Sequence, residues 1–533
     1  MKSINLLDCT LRDGGYLNDW KFGRNNIIDI FERLVSARID IIEVGFIDER
    51  RKYDPDRTIF PNALSVNTTY DKLHKGKSMI VGMIDYGTCN IDKIIPCRDS
   101  FMDGIRVIFK ESHMYEAIEF CRKIKKLGYL VFVQAVSITS YTDEKLKELI
   151  DIVNKLEPYA FSLVDTYGLL HKSGLMHYYN AANKYLKKTI GIGYHSHNNF
   201  QLAYANCIEL LEDAPQERML LVDGSLYGMG KSAGNAPTEL LAMFMMENFN
   251  KEYENSQLLE AIDVTILDLF RQIPWGYNFK FFIAASHDCH PSYVSYLMDK
   301  KKLSVKSIHE ILLKIEKNYK LNYNGDYIEQ LYISYQKSND QDLENFSSLE
   351  PIMYHKEILL LGPGNTIETE KDKIKDYIKK NAPVIISVNF LPDNFKIDYL
   401  FISNAKRYVQ MSSKACEENK NIKMLATSNV TKAFGKFDYV LQYDKLLDEM
   451  AMIIDNPMIM ILKFLSDIGV KRVALAGFDG YTVSGTSDYF NPNMEYSFSK
   501  QKAELINQDV VDSVKRIKNL VETIFITTTK YLI

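Results

Sequence analysis

Short apolar runs alternate with amphipathic stretches from the N-terminus to about residue 250. Each run is rich in β-branched residues, ends in a polar or glycine-bearing loop, and precedes a segment of helical periodicity. The predicted strands end near Leu7, Phe46, Ile84, Phe109, Val136, Val164, Tyr194 and Val222. The predicted helices include Asn26–Ala37, Tyr115–Leu127, Asp143–Leu156 and Leu202–Glu212. Eight strand–helix units over residues 1–254 favour a closed parallel (β/α)8 barrel of the TIM type. A doubly wound open sheet is the competing interpretation.

The pattern changes after residue 254. Residues 255–345 contain long helix-period segments, Leu258–Gln272 and Val305–Tyr319 among them, which predict a helical extension. The polar stretch Lys337–Asp342 is predicted to be a linker. Over residues 355–533 a second series of short apolar runs predicts an open, Rossmann-like α/β domain. These runs are Glu357–Leu361, Val384–Val388, Tyr399–Ile402, Lys423–Ala426, Tyr439–Leu441 and Arg472–Ala476.

The composition is that of a globular protein with a small-molecule ligand. The 533 residues exceed what one hydrophobic core serves, which agrees with the two predicted domains. A formal net charge of -4 gives no reason to expect nucleic acid or a membrane as a partner. Seven cysteines without C-x-x-C pairs indicate reduced thiols. Because the N-terminus lacks a basic segment followed by an apolar stretch, we expect a cytoplasmic protein.

The first candidate chemistry follows the first predicted strand, in the stretch Asp8–Tyr16. Its sequence, Asp-Cys-Thr-Leu-Arg-Asp-Gly-Gly-Tyr, sets the cation of Arg12 beside the carboxylate of Asp13. The two glycines are expected to let the backbone turn sharply and approach a ligand. Such a corner can hold a metal ion and an anion together. A tight turn with a surface Arg–Asp pair is the alternative.

Two histidines lie at the C-terminal end of the seventh predicted strand. His195 and His197 are two positions apart and therefore share a face, so both side chains can present a ring nitrogen to one ion. A His-x-His pair that merely fills the barrel is the alternative. If the barrel closes, only the eighth strand separates this strand from the first. Asp13 and the two histidines can then converge on one rim.

The loop after the eighth strand, Asp223–Glu239, is rich in glycine. Its glycine spacing does not follow the dinucleotide fingerprint. Asn235 precedes a helix, which it could cap, or it could offer its amide oxygen to a metal ion. A flexible loop with a helix cap is the alternative.

Together these motifs resemble those of the DRE-TIM metallolyases, the pyruvate carboxyltransferase-like or HMGL-like superfamily. The motifs D-x-T-L-R-D-G, H-x-H-N and G-x-G-x-x-A-G-N occur in the family's order, and the resemblance covers residues 1 to about 300. It implies a divalent cation held by Asp13, His195 and His197, with Asn235 as a fourth ligand. It also implies that Arg12 binds the oxygen of an enolate. A mixed set of oxygen and imidazole ligands favours Mn2+ or Mg2+ over zinc.

The later glycine loop is most similar to that of the 4-hydroxy-2-oxovalerate aldolases. It lacks the catalytic cysteine of the coenzyme-A lyases, and the chain lacks the Glu-Gln and Gly-Glu-Arg motifs of the Claisen-condensing synthases. The resemblance makes Tyr277 a candidate for orienting the substrate, although it could instead be an aromatic residue packed in the helical extension.

The chain departs from the aldolase pattern at its proton-transfer residue. Those aldolases have a histidine where this chain has Tyr16, and an unperturbed phenol is a poor base at neutral pH. His287 and His290 follow Tyr277 closely and titrate in a suitable range, so they are candidate acid/base groups. Both could equally be structural or surface histidines, and the acid/base role stays unassigned.

The second domain offers a weaker motif. Gly362 and Gly364 form a glycine turn after its first strand, which is either a phosphate cradle or a simple loop. With Asp479 after a later strand, this region faintly resembles the Rossmann-like domains related to bacterial sialyltransferases. The resemblance implies a nucleotide, nucleotide-sugar or phosphosugar ligand near Asp479.

The sequence therefore predicts a class II pyruvate aldolase that makes or cleaves a carbon–carbon bond between a 2-oxo acid enolate and an aldehyde. Two alternatives stay open. One is a Claisen-condensing enzyme that uses an acyl-CoA, as isopropylmalate and citramalate synthases do, and the other is a non-catalytic binding or scaffold protein of a carbohydrate pathway. A homo-oligomer is expected, of a size that the sequence does not define.

Overall fold

The computed structural model describes residues 4–214, 218–299, 303, 305–337, 342–403, 407–408, 411, 422–430, 437–482, 488–489, 503–518 and 521–531. The chain divides into two compact units. One consists of Met1–Ser295 with Ile315–Asn324, and the other of Tyr296–Lys314 with Gly325–Ile533. Within the described part, no helix combines the length and the apolar character needed to cross a bilayer.

The first unit contains a closed parallel barrel, which confirms the predicted fold class. Its strands are β1 (Ile4–Asp8), β2 (Ile41–Ile47), β3 (Ile59–Phe60), β4 (Met79–Asp85), β5 (Gly104–Phe109), β6 (Leu130–Ala135), β7 (Ala160–Asp165), β8 (Gly191–Ser196) and β9 (Leu220–Gly224). The order around the barrel is β1-β9-β8-β7-β6-β5-β4-β2, and the pairing of β1 with β2 closes it. The two-residue β3 pairs only with β2. The competing open sheet is therefore excluded.

Helices surround the barrel because their apolar positions recur with helical spacing. In Met114–Lys126, for example, Ala117, Cys121 and Ile124 are buried, and three lysines in the last turn favour the negative end of the helix dipole. The helices of this unit are Thr10–Asp13, Gly15–Asn18, Arg24–Ser36, Ala63–Tyr70, Met114–Lys126, Asp143–Leu156, Lys172–Tyr185, Ala203–Asp213, Thr238–Phe249, Asn255–Ala261, Leu267–Gln272 and Phe279–Ser286. A π-helical turn, Ile262–Ile266, joins two of them, so the predicted helix Leu258–Gln272 is nearly continuous.

The predicted helical extension is helical where it is described. The helices Pro291–Asp299, Val305–Leu312, Lys317–Lys320, Gly325–Lys337 and Asp342–Met353 follow one another, divided between the two units. The predicted helix Val305–Tyr319 is interrupted after Leu312. Most of the predicted linker, residues 338–341, lies outside the described residues. The domain boundaries themselves stay predictions.

The second unit contains an open parallel sheet with apolar residues on both faces. Its strands are β10 (Ile358–Leu361), β11 (Val384–Val388), β12 (Tyr399–Ile402), β13 (Lys423–Thr427), β14 (Tyr439–Leu441), β15 (Arg472–Ala476) and β16 (Glu522–Phe525), in the order β14-β13-β12-β11-β10-β15-β16. Alternate residues of β10 enter two separate cores, as expected of a parallel sheet covered on both sides. The described helices of this sheet are Thr366–Thr369, Lys371–Asn381, Pro457–Asp467 and Ala503–Lys518. β16 is not predicted from the sequence, because its pattern of apolar and polar residues is short and mixed.

Candidate metal centre and active site

Asp13, His195 and His197 converge on one rim of the barrel. Asp13 ends the short helix that follows β1, His195 lies within β8, and His197 comes directly after it. Because β9 alone separates β1 from β8, all three side chains meet, and the potential ligand atoms lie within 4.8 Å of one another. Each side chain is buried. Sequence spacing and barrel closure thus place two imidazoles and one carboxylate where one ion could contact all three.

Two buried polar atoms, one of His197 and one of Asn235, have no hydrogen-bond partner among the described residues. They are Nδ1 of His197, which lies 4.0 Å from Oδ2 of Asp13, and Oδ1 of Asn235. The amide Nδ2 of Asn235 donates to Oδ2 of Asp13 at 2.9 Å. Asn235 therefore does not cap the following helix, whose N-cap position is Pro237. Since an unpaired buried acceptor is costly, the orphaned atoms fit a bound cation.

The protonation states also fit a cation. Burial lowers the pKa of His197 to about 3, so its imidazole is neutral and available as a ligand at neutral pH. Burial alone would raise the pKa of Asp13, but Arg12 and the two histidines outweigh it and hold that pKa well below its usual value. Asp13 is thus an anion, as a hard divalent cation requires.

Arg12 is held rigidly beside the triad. Its Nε donates to Oε2 of Glu43 at 2.7 Å, and its Nη1 donates to a carboxylate oxygen of Asp13. Among the described residues, Nη2 of Arg12 has no hydrogen-bond partner. The guanidinium is therefore fixed at two nitrogens and keeps a third for a ligand.

A chain of buried ions extends from Arg12 across the barrel. Arg106, which is fully buried, contacts Glu43 at 3.1 Å through Nη1 and Asp223 through Nη2. Oδ2 of Asp223 in turn lies 3.0 Å from Nδ1 of His195. A carboxylate in that position fixes the orientation of the imidazole, which leaves Nε2 of His195 as its ligand atom.

The charges of this cluster are unbalanced. The two guanidiniums of Arg12 and Arg106 face three carboxylates, those of Asp13, Glu43 and Asp223, which leaves one net negative charge when all are ionised. A divalent cation would turn this into one net positive charge. A monoanionic ligand would then neutralise the cluster, so the cluster is suited to bind a cation and a carboxylate together.

Sequence reasoning missed Glu43, Arg106 and Asp223 as site residues. Each is a single charged residue in an otherwise apolar strand, β2, β5 and β9 respectively. A lone charge in a buried parallel strand needs a partner, and this is a signal that the sequence did contain. It could not identify the partners, because they lie on other strands far along the chain.

The two glycines of the first motif serve packing rather than a sharp turn. Gly14 and Gly15 have helical or near-helical geometry instead of a left-handed turn. A Cβ on Gly15 would lie 2.0 Å from the ring of Trp20, and one on Gly14 would lie 2.9 Å from Sδ of Met229. The expectation of a sharp turn is therefore wrong, because the motif continues as two short helices. Gly230 packs directly against the site, since a Cβ there would meet Asp13 and Asn235.

A cavity of about 530 Å3 opens at the mouth of the barrel, beside the triad. Tyr16, Tyr277 and His290 all contribute to its lining. Tyr16 packs against Trp20, with 4.9 Å between ring centroids, and Tyr277 is 61% exposed. The structure therefore brings Tyr16, Tyr277 and His290 to one cavity.

The candidate acid/base groups differ in their surroundings. Burial raises the pKa of the Tyr16 phenol above its usual value, with Arg12 opposing, so the phenol is protonated at neutral pH. Burial, together with Lys231 and Lys110, lowers the pKa of His290 to about 4, so its imidazole is neutral. His287 is buried and is not part of the cavity lining.

A separate crevice of about 340 Å3 lies in the second unit, at the carboxyl ends of its strands. The sheet order reverses between β10 and β15, and such switch points are the usual ligand sites of open α/β sheets. Gly364 and Asp479 line the crevice. Oδ2 of Asp479, however, accepts the backbone N–H of Thr366 at 2.7 Å, so a carboxylate of the chain already takes the place predicted for a phosphate. Gly362 serves loop packing, since a Cβ there would meet the carbonyl oxygen of Gly477.

Comparison with known proteins gives a family match over the barrel. Residues 3–265 match the HMGL-like family. A protein from Moorella thermoacetica named 4-hydroxy-2-oxovalerate aldolase is 24% identical over 245 residues, which cover 45% of this chain and 69% of that protein. A protein from Archaeoglobus fulgidus named "Probable 2-isopropylmalate synthase" is 24% identical over 272 residues, covering 49% of this chain and 52% of that protein.

Solved structures are also similar to part of the chain. The crystal structure of the HMG-CoA lyase from Brucella melitensis covers 51% of this chain and 100% of its own, at 15% identity and a TM-score of 0.41.

Proposed function

Because residues 3–265 form an HMGL-like domain, we propose that this domain is a divalent-metal-dependent aldolase acting on a pyruvate-like 2-oxo acid. The observation that carries the proposal is the convergence of Asp13, His195 and His197, with their potential ligand atoms within 4.8 Å of one another. The orphaned buried atoms beside this triad and the net charge of the surrounding cluster support it.

Asp13, His195 and His197 would hold the cation, with Asn235 as a fourth ligand. When bound, a divalent ion supplies positive charge for the carboxylate and keto oxygens of the 2-oxo acid and for the enolate. Mn2+ or Mg2+ suits this donor set, because it mixes oxygen with imidazole and contains no thiolate. Asp223 positions His195 through Nδ1.

Arg12 would stabilise the enolate directly. Its Nε and Nη1 are committed to Glu43 and Asp13, and Nη2 has no described partner, so this nitrogen can donate to an oxygen that gains charge as the enolate forms. The donor is oriented before the ligand arrives, which limits the reorganisation needed during the reaction.

The proton must be carried by a group near the mouth. His290 is neutral and lines the cavity, whereas the Tyr16 phenol keeps its proton at neutral pH. We therefore favour His290 over Tyr16 as the proton acceptor, which requires Nδ1 of His290 to release the backbone N–H of Ser292 that it accepts at 3.1 Å. Tyr16 would act as a hydrogen-bond donor. His287 stays a candidate acid/base group, although it would act from outside the cavity lining. Tyr277 stays a candidate for orienting the substrate.

The 2-isopropylmalate synthase relative supports one alternative, a Claisen condensation with an acyl-CoA. Two measurements separate the reactions. A metal-replete screen of pyruvate against aldehydes, followed by mass spectrometry, should yield 4-hydroxy-2-oxo acids and no free coenzyme A. Release of coenzyme A from acetyl-CoA would favour the synthase instead. Failure to exchange the C3 hydrogens of pyruvate or to decarboxylate oxaloacetate would favour a non-catalytic binding protein.

For the second unit we retain the proposal of a nucleotide-sugar or phosphosugar ligand at the crevice beside Asp479. The position of the crevice at the switch point between β10 and β15 supports it. Because Asp479 caps the helix that begins at Thr366, the anionic part of such a ligand would need to bind elsewhere in the crevice. Isothermal titration of the full chain with UMP and with glucose 1-phosphate tests it.

A further inference from the structure

The mouth cavity of the barrel is larger and more positively charged than a small neutral aldehyde requires. Its volume of about 530 Å3 is in the range of cavities that enclose drug-sized ligands. Lys231 and Lys280 belong to the lining, which includes no Asp or Glu in the part of the chain that the structure describes. When the charged residues that line a partly enclosed cavity all have the same sign, the cavity concentrates ligands of the opposite charge.

Among the described residues, neither Lys231 nor Lys280 forms an ion pair. Each lies over an aromatic ring: Nζ of Lys231 is 5.2 Å from the ring centroid of Tyr16, and Nζ of Lys280 is 5.5 Å from that of Phe281. Lys110 and Arg12 add to the positive field at Lys231, and the carboxylates of Asp13 and Asp85 oppose it.

Lys231 connects this cavity to the triad. Its backbone N–H donates to Oδ2 of Asp13 at 3.0 Å, while its side chain extends over Tyr16 into the cavity. A ligand that places a reacting carbon near the triad can therefore reach the Lys231 ammonium with its other end. Ser232 and Ser292 belong to the same lining, and serine hydroxyls suit a hydroxylated chain; the hydroxyl of Ser295, also in the lining, already donates to the carbonyl oxygen of Pro291 at 3.1 Å.

We propose that the acceptor aldehyde carries an anionic group, which the ammonium groups of Lys231 and Lys280 bind at the mouth of the barrel. This inference rests on the proposed aldolase function. In the reaction, C3 of the pyruvate enolate forms a bond to the aldehyde carbon, and the aldehyde oxygen takes up a proton to become a hydroxyl group. The anionic group takes no part in the chemistry and serves to position the aldehyde carbon.

The test compares D-glyceraldehyde 3-phosphate with D-glyceraldehyde as acceptors for pyruvate, using the full-length, metal-loaded protein. A charge-assisted contact of this kind should favour the phosphorylated aldehyde by about 10- to 100-fold in kcat/KM. Lys280→Met should lower kcat/KM for the phosphorylated aldehyde by about 10-fold and leave the neutral aldehyde unchanged. Lys280→Arg should keep the preference. Lys155→Met, which removes an exposed lysine outside the cavity, should change neither value.

Exchange of the C3 hydrogens of pyruvate in D2O separates the two possible failures. If the wild-type protein exchanges them but uses D-glyceraldehyde as well as or better than its phosphate, the anionic acceptor is refuted and the aldolase proposal stands. An unchanged preference in Lys280→Met also refutes the binding role. If no exchange occurs with Mn2+ or Mg2+, both the aldolase function and this inference are refuted.

Discussion

Glu43 gives the sharpest test of the buried charge cluster. Its carboxylate is fully buried and lies between two guanidiniums, 2.7 Å from Nε of Arg12 and 3.1 Å from Nη1 of Arg106. The substitution Glu43→Gln keeps the shape of the side chain and removes its charge. Both guanidiniums approach the same oxygen, Oε2, so an amide oxygen in its place can still face both, and what the substitution removes is the negative charge between two buried cations.

The size of the effect follows from this geometry. Removing one partner from a buried ion pair costs about 3–5 kcal/mol, because the remaining charge stays buried without compensation. For a large domain each kcal/mol lowers the Tm by roughly 2 °C, so the barrel should unfold about 6–10 °C lower in Glu43→Gln. The Nε of Arg12 then faces a neutral acceptor instead of a carboxylate, which holds the guanidinium less firmly, so pyruvate C3 exchange should fall together with stability.

Calorimetry of the metal-free protein and deuterium exchange of pyruvate with the metal-loaded protein measure the two effects. The matched control is Glu119→Gln, which removes a carboxylate paired with Arg122 at 3.0 Å on the exposed surface. Such a pair contributes less than about 1 kcal/mol. If both variants shift the Tm equally, or if Glu43→Gln shifts it by less than a degree, the carboxylate does not compensate the two guanidiniums and the reasoning fails.

The remaining predictions concern the metal, the enolate and the proton. His195→Ala should lose bound metal and pyruvate exchange together, measured by elemental analysis and NMR, and a fully active metal-free variant would contradict the assignment. Arg12→Lys should lower kcat by about 10²–10³ with unchanged metal content, because lysine lacks the planar fork; unchanged exchange would count against this role. Tyr16→Phe should retain exchange, whereas His287→Ala or His290→Ala should slow aldol cleavage. Since the pKa of His290 is about 4, the rate should fall as the pH drops through that value, and His290→Ala should remove this limb. Loss of cleavage in Tyr16→Phe alone would make the phenol the proton carrier.

Much of the fold and of the triad could be predicted because both depend on local patterns. Apolar runs bounded by glycine and polar loops marked the eight barrel strands, and two histidines at strand spacing marked one face of β8. The resemblance to the HMGL-like family, which the family match confirms, rested on three short motifs in order. In each case the information lies within a few residues.

What could not be predicted depends on residues distant in sequence. Arg106 pairs with Asp223 across 117 positions, and no local pattern identifies that partner. The helical course of residues Thr10–Asp13 was missed because a four-residue helix has too few positions to show periodicity. The capping of Thr366 by Asp479 likewise joins two loops 113 residues apart, and it changes the interpretation of the glycine turn.

Lys231 contacts Asp13 through its main chain and Tyr16 through its side chain, so the two contacts can evolve separately. The backbone N–H that supports Asp13 is present in every amino acid except proline, so the support persists whatever side chain occupies the position. The side chain, which extends into the mouth, is free to vary. A single substitution at this position could therefore change which acceptor aldehyde binds, while the backbone hydrogen bond to Asp13 is kept. Such a position allows paralogues to diverge in substrate without first losing their chemistry.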